Sequence, residues 1–258
     1  MSILDDERIA EAQKSLCAML TVDNLNGKTF LDVGSGSGLF SLVAMRLGAK
    51  RVVSFDYDPH SVACAEELRR RYYSNADAWT IEQGSVLDEN YLAGLGLFDV
   101  VYSWGVLHHT GNMWQALENV GKLPAPGGRL FIALYNDQGR KSLAWRAVKQ
   151  RYSSSLMWRL PIAAGFGSYI LLKGFMKDVL LLRKNPMRRF QEYKKQRGMS
   201  YFTDLLDWLG GFPFEVAKAE MVFEFFRERG FELVKLKTDC GMGNNEFVFA
   251  NRGHAASE

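Results

Sequence analysis

Phe30-Leu31-Asp32-Val33-Gly34-Ser35-Gly36-Ser37-Gly38 is an apolar run that ends in glycine at every second position. Leu39, Phe40, Leu42 and Val43 follow it. This reads as a short strand, a tight turn and the apolar start of a helix. Glycine leaves out the Cβ where the backbone must turn sharply and let a ligand approach. The first helical N–H groups then point at whatever sits on the turn. The segment is either a nucleotide-cofactor turn or a structural turn alone. Its G-x-G-x-G spacing departs from the G-x-G-x-x-G of dinucleotide sites. Asp32, two residues before the first glycine, is a poor neighbour for a diphosphate. It suits a cofactor that carries an ammonium and a sulfonium.

The chain downstream supports a cofactor. Lys50 to Phe55 reads as a second strand and ends in Asp56-Tyr57-Asp58-Pro59. Asp56 lies about twenty residues past the glycines, where a carboxylate at the end of strand two takes the hydroxyls of a ribose. Tyr57 is placed to lie against an adenine face, and Pro59 opens a helix at a position that needs no N–H. For Asp56 the plainer role is a helix cap or a surface turn. Phe98 to Trp104 is another strand, followed by Gly105-Val106-Leu107-His108-His109-Thr110. Ala125-Pro126-Gly127-Gly128 is a tight turn into the strand Arg129 to Leu134.

With these segments in order, residues 27–136 and the C-terminal tail resemble the class I S-adenosylmethionine-dependent methyltransferases. The branch they resemble holds ubiquinone-biosynthesis and sugar O-methyltransferases. The resemblance implies an α/β, Rossmann-like, doubly wound seven-stranded sheet with an antiparallel last strand and a helical insert. It implies S-adenosyl-L-methionine as cofactor, S-adenosyl-L-homocysteine as product, and no metal. Asp32 and the backbone of Gly34, Ser35, Gly36 and Gly38 would hold the methionine end, Asp56 the ribose, and Tyr57 would flank the adenine. Gln83-Gly84-Ser85-Val86 matches the segment near the adenine edge, although many relatives carry an acid where Ser85 stands. Ser103 or Trp104 would line the methionine pocket, with the Trp104 ring near the sulfonium. His108 and His109 follow strand four at the carboxyl edge of the sheet, where ligands bind. One of them resembles the base of some sugar O-methyltransferases, and an imidazole suits proton transfer near neutral pH. The alternative is that they only anchor the loop. Tyr135, Asn136 and Asp137, at the end of strand five, are second candidates for holding or deprotonating the acceptor.

Composition is consistent with one such domain spanning 1–258. The chain has 258 residues, 47% apolar and 24% charged, which is ordinary for a globular protein with a full core. Cys17, Cys64 and Cys240 make neither a zinc pattern nor a disulfide framework, so a reducing cytoplasm is the default. Met1 to Glu7 lacks the basic and apolar regions of a signal peptide. An amphipathic helix is expected over 5–20. Strands are expected near 29–33, 51–55, 78–82, 98–103, 128–135, 231–238 and 245–250. Helices are expected near 38–48, 59–72, 112–123 and 215–229. Strand–helix alternation implies a parallel sheet covered on both faces. The glycine-bearing loop over 239–244 suits an antiparallel hairpin.

Residues 137–213 interrupt this core of 21–136 and 214–258 with a connection far longer than the fold needs. Over 137–200 there are fifteen Lys or Arg and three Asp or Glu, a net charge of +12, where the whole chain is +3 and the remainder −9. Leu160 to Leu172 carries no charge, but is shorter than the roughly 20 residues of a spanning helix. The insert is expected to be a basic helical lid, a surface lying on a membrane through 154–186, or an ordinary packed and solvated face. It also offers a homodimer contact. Trp145 within it and Tyr135 at strand five are the candidate acceptor-binding aromatics.

Four activities fit to different degrees. The leading one is methylation of a small molecule, at oxygen, with an anionic, glycan or lipid-linked acceptor, in the cytoplasm or on the inner face of the membrane. The second is methylation of RNA or protein, although no D-P-P-Y-type run or RNA-binding module is present and no nucleic acid is expected. An NAD-dependent oxidoreductase is disfavoured by the glycine spacing. The fourth is a non-catalytic S-adenosylmethionine-binding protein at a membrane surface.

Overall fold

The computed structural model describes residues 6–73, 77–176, 179, 206, 209–241 and 243–253. The rest of the basic tract, and so most of 177–186 of the expected membrane segment, lies outside the described residues. The chain divides into two compact units, one within Leu4–Gln138 and Glu215–Glu258, the other within Gly139–Phe214.

The first unit is a seven-stranded sheet in the order β3-β2-β1-β4-β5-β7-β6. Its strands are β1 (Thr29–Val33), β2 (Arg51–Asp56), β3 (Trp79–Gln83), β4 (Phe98–Trp104), β5 (Pro124–Tyr135), β6 (Phe231–Lys237) and β7 (Asn244–Asn251). β1 to β5 pair in parallel, and β7 runs antiparallel to both β5 and β6. The expected doubly wound sheet with an antiparallel last strand is therefore present. Side chains alternate across each strand, so neighbouring residues feed different cores. Leu31, Val33, Phe55, Val101 and Ile132 pack with helices α4 (Glu89–Leu95), α5 (Met113–Gly121) and α8 (Ala219–Arg227). Phe30, Val52, Val100, Tyr102 and Phe131 pack with α1 (Asp6–Leu20), α2 (Leu39–Arg46) and α3 (Pro59–Tyr72). Burial on both faces explains why these strands read as nearly unbroken apolar runs.

Two elements differ from the sequence expectation. β5 begins at Pro124, four residues early, because Pro124 pairs with Phe98 before an irregularity that resets the register at Val100–Arg129. α4, absent from the expectation, is seven residues long and is started by Asp88, whose side chain accepts the Tyr91 N–H. A helix that short leaves too little periodicity to detect.

The second unit contains α6 (Arg140–Ser154) and α7 (Leu156–Met176). Trp145 and Phe166 join them edge to face at 4.7 Å. Lys149 is buried, with Nζ 4.8 Å from the centre of the Phe214 ring, and burial pulls its ammonium pKa down to about 8. Among the described residues, no helix is long and apolar enough to cross a membrane.

Candidate active site

The carboxyl ends of β1, β2, β4 and β5 bring the sequence-marked residues to one rim of the first unit. The turn after β1 takes a left-handed backbone at Gly34 (φ 72°), Gly36 (φ 53°) and Gly38 (φ 81°). The reasons differ. A Cβ at Gly34 would lie 2.4 Å from Val106 Cγ1, so that glycine serves packing. A Cβ at Gly36 would meet nothing within 4 Å, so Gly36 keeps open the space in front of the turn. Ser35 Oγ is buried there and has no hydrogen-bond partner among the described residues.

Asp32 sits behind this turn and is 2% exposed. Ser41 Oγ donates to its Oδ2 at 2.6 Å. Ser54 Oγ is 2.7 Å from Ser41 Oγ, and the Trp79 indole N–H donates to Ser54 Oγ at 2.7 Å. An indole N–H can only donate, and the one proton of Ser41 is committed to Asp32. Ser54 must then donate to Ser41, so with Asp32 ionised every dipole in the chain points at its carboxylate. Burial still pushes the Asp32 pKa up, from 3.8 to about 7; the Ser41 bonds pull it down and the Asp56 charge adds to the rise. A cation brought to this carboxylate would favour its ionised form.

Asp56 ends β2 beside the turn. Its Oδ2 accepts the Gly36 N–H at 2.8 Å and its Oδ1 the Asp58 N–H at 2.9 Å. One carboxylate thus ties the glycine turn to the start of α3, and each oxygen keeps a lone pair for a further donor. Asp58 caps α3 by accepting from the His60 and Ser61 N–H groups. Tyr57 is 78% exposed, and its carbonyl accepts from Gln83 Nε2. Ser85 Oγ accepts the Leu87 N–H, while Val86 packs its side chain into the core. Ser103 is buried and donates to the Val33 carbonyl, which fastens β4 to β1. Trp104, the next residue, is 44% exposed at the rim. Of the β4 pair, only the tryptophan presents a side chain to solvent.

The histidines separate in the same way. His108 is fully buried, its Nδ1 accepts the Tyr135 N–H at 3.3 Å, and its carbonyl accepts the Glu215 N–H at 3.0 Å. An accepting Nδ1 leaves the neutral ring with its proton on Nε2. His109 is half-buried, with its ring 4.4 Å from the His108 ring and 5.5 Å from the Tyr135 ring. Asn136 uses its side-chain N–H groups on the carbonyls of Asp239 and Gly241 and accepts from Asn245 with Oδ1. Its amide holds the loop between β6 and β7 to the rim. The Asp137 N–H donates to the Ala217 carbonyl. Trp145 belongs to the second unit. Among the described residues no cluster of His, Cys, Asp or Glu could hold a metal.

Sequence reading missed the support behind Asp32. The available signal was a serine in each of two apolar runs, Ser41 within Leu39–Ala44 and Ser54 within Val52–Phe55. Glu215 was missed as well; its Oε2 accepts the Met113 N–H at the start of α5.

Residues 31–130 match the family described as a methyltransferase domain. The chain is 25% identical over 185 residues to a tRNA U34 carboxymethyltransferase of Methylococcus capsulatus, covering 72% of this chain and 55% of that protein. A ribosomal protein L11 methyltransferase of Alteromonas mediterranea is 46% identical over 48 residues, 19% of this chain and 16% of that one. The chain spans about half the length of the tRNA-modifying relatives it matches. In structure it is similar to magnesium protoporphyrin IX methyltransferase from Synechocystis with bound S-adenosylhomocysteine, with a TM-score of 0.55 and 13% identity over 96% of this chain and 88% of that chain. It is similar also to an N-methyltransferase from Bradyrhizobium japonicum in complex with S-adenosylhomocysteine, with a TM-score of 0.54 and 15% identity over 97% of this chain and 90% of that chain. At these identities the likeness is one of fold. Residues 31–130 are thus similar in sequence to a methyltransferase domain, and the chain shares its fold with solved methyltransferases that bind S-adenosylhomocysteine.

Proposed function

We propose that the chain transfers a methyl group from S-adenosylmethionine to a small-molecule acceptor, at oxygen, with an anionic, glycan or lipid-linked acceptor as the class to test first. The observation that carries this reading is the open space in front of Gly36, bounded by Asp56 and backed by Asp32, inside a methyltransferase domain. The residues present fit the cofactor. A buried carboxylate whose pKa lies near 7 gains from an ammonium, Ser35 Oγ has a bond to offer, and a turn without a Cβ admits a ligand.

The bound cofactor supplies an activated methyl group. The protein's task is to orient the acceptor, which contributes about 7–11 kcal/mol where alignment is good. In this reading Asp32 holds the ammonium, Asp56 accepts from the ribose hydroxyls with its remaining lone pairs, and Tyr57 covers the adenine. Trp104 presents a ring to the sulfonium. His109, the less buried histidine, takes the acceptor proton; His108 fixes the Tyr135 backbone and the loop from which His109 projects. The test is calorimetry with S-adenosylmethionine, followed by metabolite profiling of lysate with the methyl-labelled cofactor. Micromolar binding and a labelled small molecule are expected. Absence of binding would remove the reading.

A second reading, RNA as acceptor, is favoured by the tRNA-modifying relatives and by the net charge of +12 over 137–200. Label appearing in the RNA fraction would select it.

A further inference from the structure

We propose that α6 and α7 form a docking surface for an anionic lipid membrane, with α7 lying in the interface. This goes beyond methyl transfer and is tested without turnover. α7 has 21 residues, about 31 Å of helix at 1.5 Å per residue. Only Gly167 and Gly174 are buried in it. Leu156, Met157, Leu160, Leu172 and Phe175 are 75%, 72%, 79%, 62% and 54% exposed. The less exposed positions, Ile162, Ala163, Phe166, Gly167, Ile170 and Gly174, follow one narrow stripe, and Phe166 in it meets Trp145 of α6. Apart from Arg159, Ser168 and Lys173, the rest of the helix is exposed apolar and aromatic surface of the kind that marks an interaction site.

Charge selects the occupant. From 138 to 176 there are seven Lys or Arg and no Asp or Glu. Arg159 and Lys173 are exposed on α7 itself. The Arg151 guanidinium lies 5.4 Å from the Trp158 ring centre, and the Lys173 ammonium 5.9 Å from that of Tyr169. Cations held on amphipathic rings beside bare leucines match the layered chemistry of a membrane surface, with headgroups outside and acyl chains beneath. A second copy of this face would bring like charges together. A nucleic acid would use the bases and aromatic rings but would leave the aliphatic side chains in water.

The test is flotation of the full chain with vesicles of phosphatidylcholine alone or mixed roughly 3:1 with phosphatidylglycerol. Binding to the mixed vesicles is expected, weakened by salt, and weakened at least about tenfold in L160E/L172E/F175E. A helical circular dichroism signal equal to the parent's shows that the insert helices of that variant are folded. If it does not fold, the charge reversal R159E/K173E replaces it, with the same expected loss. Equal binding to both vesicle types, no binding to the mixed vesicles, or full binding by the variant overturns the proposal. So does a dimer by light scattering that L160E/L172E/F175E abolishes, which would give the face to a second copy.

Discussion

Gly34 and Gly36 share a left-handed backbone, yet a methyl group added to each should act on different steps. At Gly34 it would enter the space of Val106, so Gly34→Ala should destabilise the fold by more than the roughly 1–2 kcal/mol of left-handed strain. At Gly36 it would meet no protein atom, so the variant should pay about that strain alone and remain folded. If the cofactor lies on this turn, Gly36→Ala should weaken S-adenosylmethionine binding by at least about tenfold. Undiminished affinity by calorimetry would place the cofactor elsewhere. Asp32 makes a prediction through pH. Its folded pKa is raised from 3.8 to about 7, so between those values the folded chain holds a proton that the unfolded chain has lost. Folding stability from this group therefore falls as pH rises from about 4 to 7, and the cost is fully present above 7. Asp32→Asn removes that slope, so its thermal midpoint should fall less than the parent's between about pH 5 and 8. Cofactor binding should reverse the cost by drawing Asp32 into its ionised form. Parent affinity should then rise between about pH 6 and 7.5 with release of part of a proton, and the asparagine variant should show neither. Identical pH slopes in the two proteins would contradict the role.

At the scale of elements, α5 shows how the rim is held. Its N-cap residue, Asn112, makes no side-chain cap bond; Glu215, from a distant part of the chain, accepts the Met113 N–H instead. The Glu215 N–H donates to the His108 carbonyl, so a single residue fixes both the histidine turn and the helix after it. Glu215→Ala should cost about 1 kcal/mol of stability, as lost caps do, measurable by urea unfolding. Loss of the anchor should also raise the amide exchange of Leu107 to Met113, and unchanged exchange there would show that the turn holds itself. This bond was not legible in the sequence. Strands β1, β2 and β4 were, because a parallel strand covered on both faces is apolar nearly throughout and its turn must carry glycine or a cap. Pairings set by one long-range hydrogen bond leave no periodic trace. For the same reason Asp56 and Gly36 could be read as neighbours of a ligand, whereas the line from Trp79 through Ser54 and Ser41 to Asp32 could not.

Across the whole molecule the sequence divides by charge, and the structure divides at nearly the same residues. The basic tract begins at 137, and the second unit runs from Gly139 to Phe214. The two parts differ in composition, while the helices of the insert segregate polar from apolar residues too weakly to set their boundaries from the sequence. The backbone shows why the core can carry such an insertion. Asn136 and Ala217 form a parallel bridge, the Ala217 N–H donates to the Tyr135 carbonyl, and the Asp137 N–H to the Ala217 carbonyl. The chain therefore leaves and re-enters the first unit through adjacent, hydrogen-bonded segments that run parallel, so Gln138 and Glu215 lie beyond opposite ends of the bridge. Replacing 139–214 with roughly twelve Gly or Ser residues should span that separation without strain. Every residue assigned to the cofactor, from Asp32 to Trp104, lies in the unit that remains. The shortened chain should unfold cooperatively by circular dichroism and bind S-adenosylmethionine within about threefold of the parent, a difference below 1 kcal/mol. Its binding to anionic vesicles should disappear, because both helices proposed to meet lipid are gone. A shortened chain that folds but no longer binds the cofactor would show that the insert supplies part of that site, and the assignment to the rim of β1, β2 and β4 would have to be redrawn.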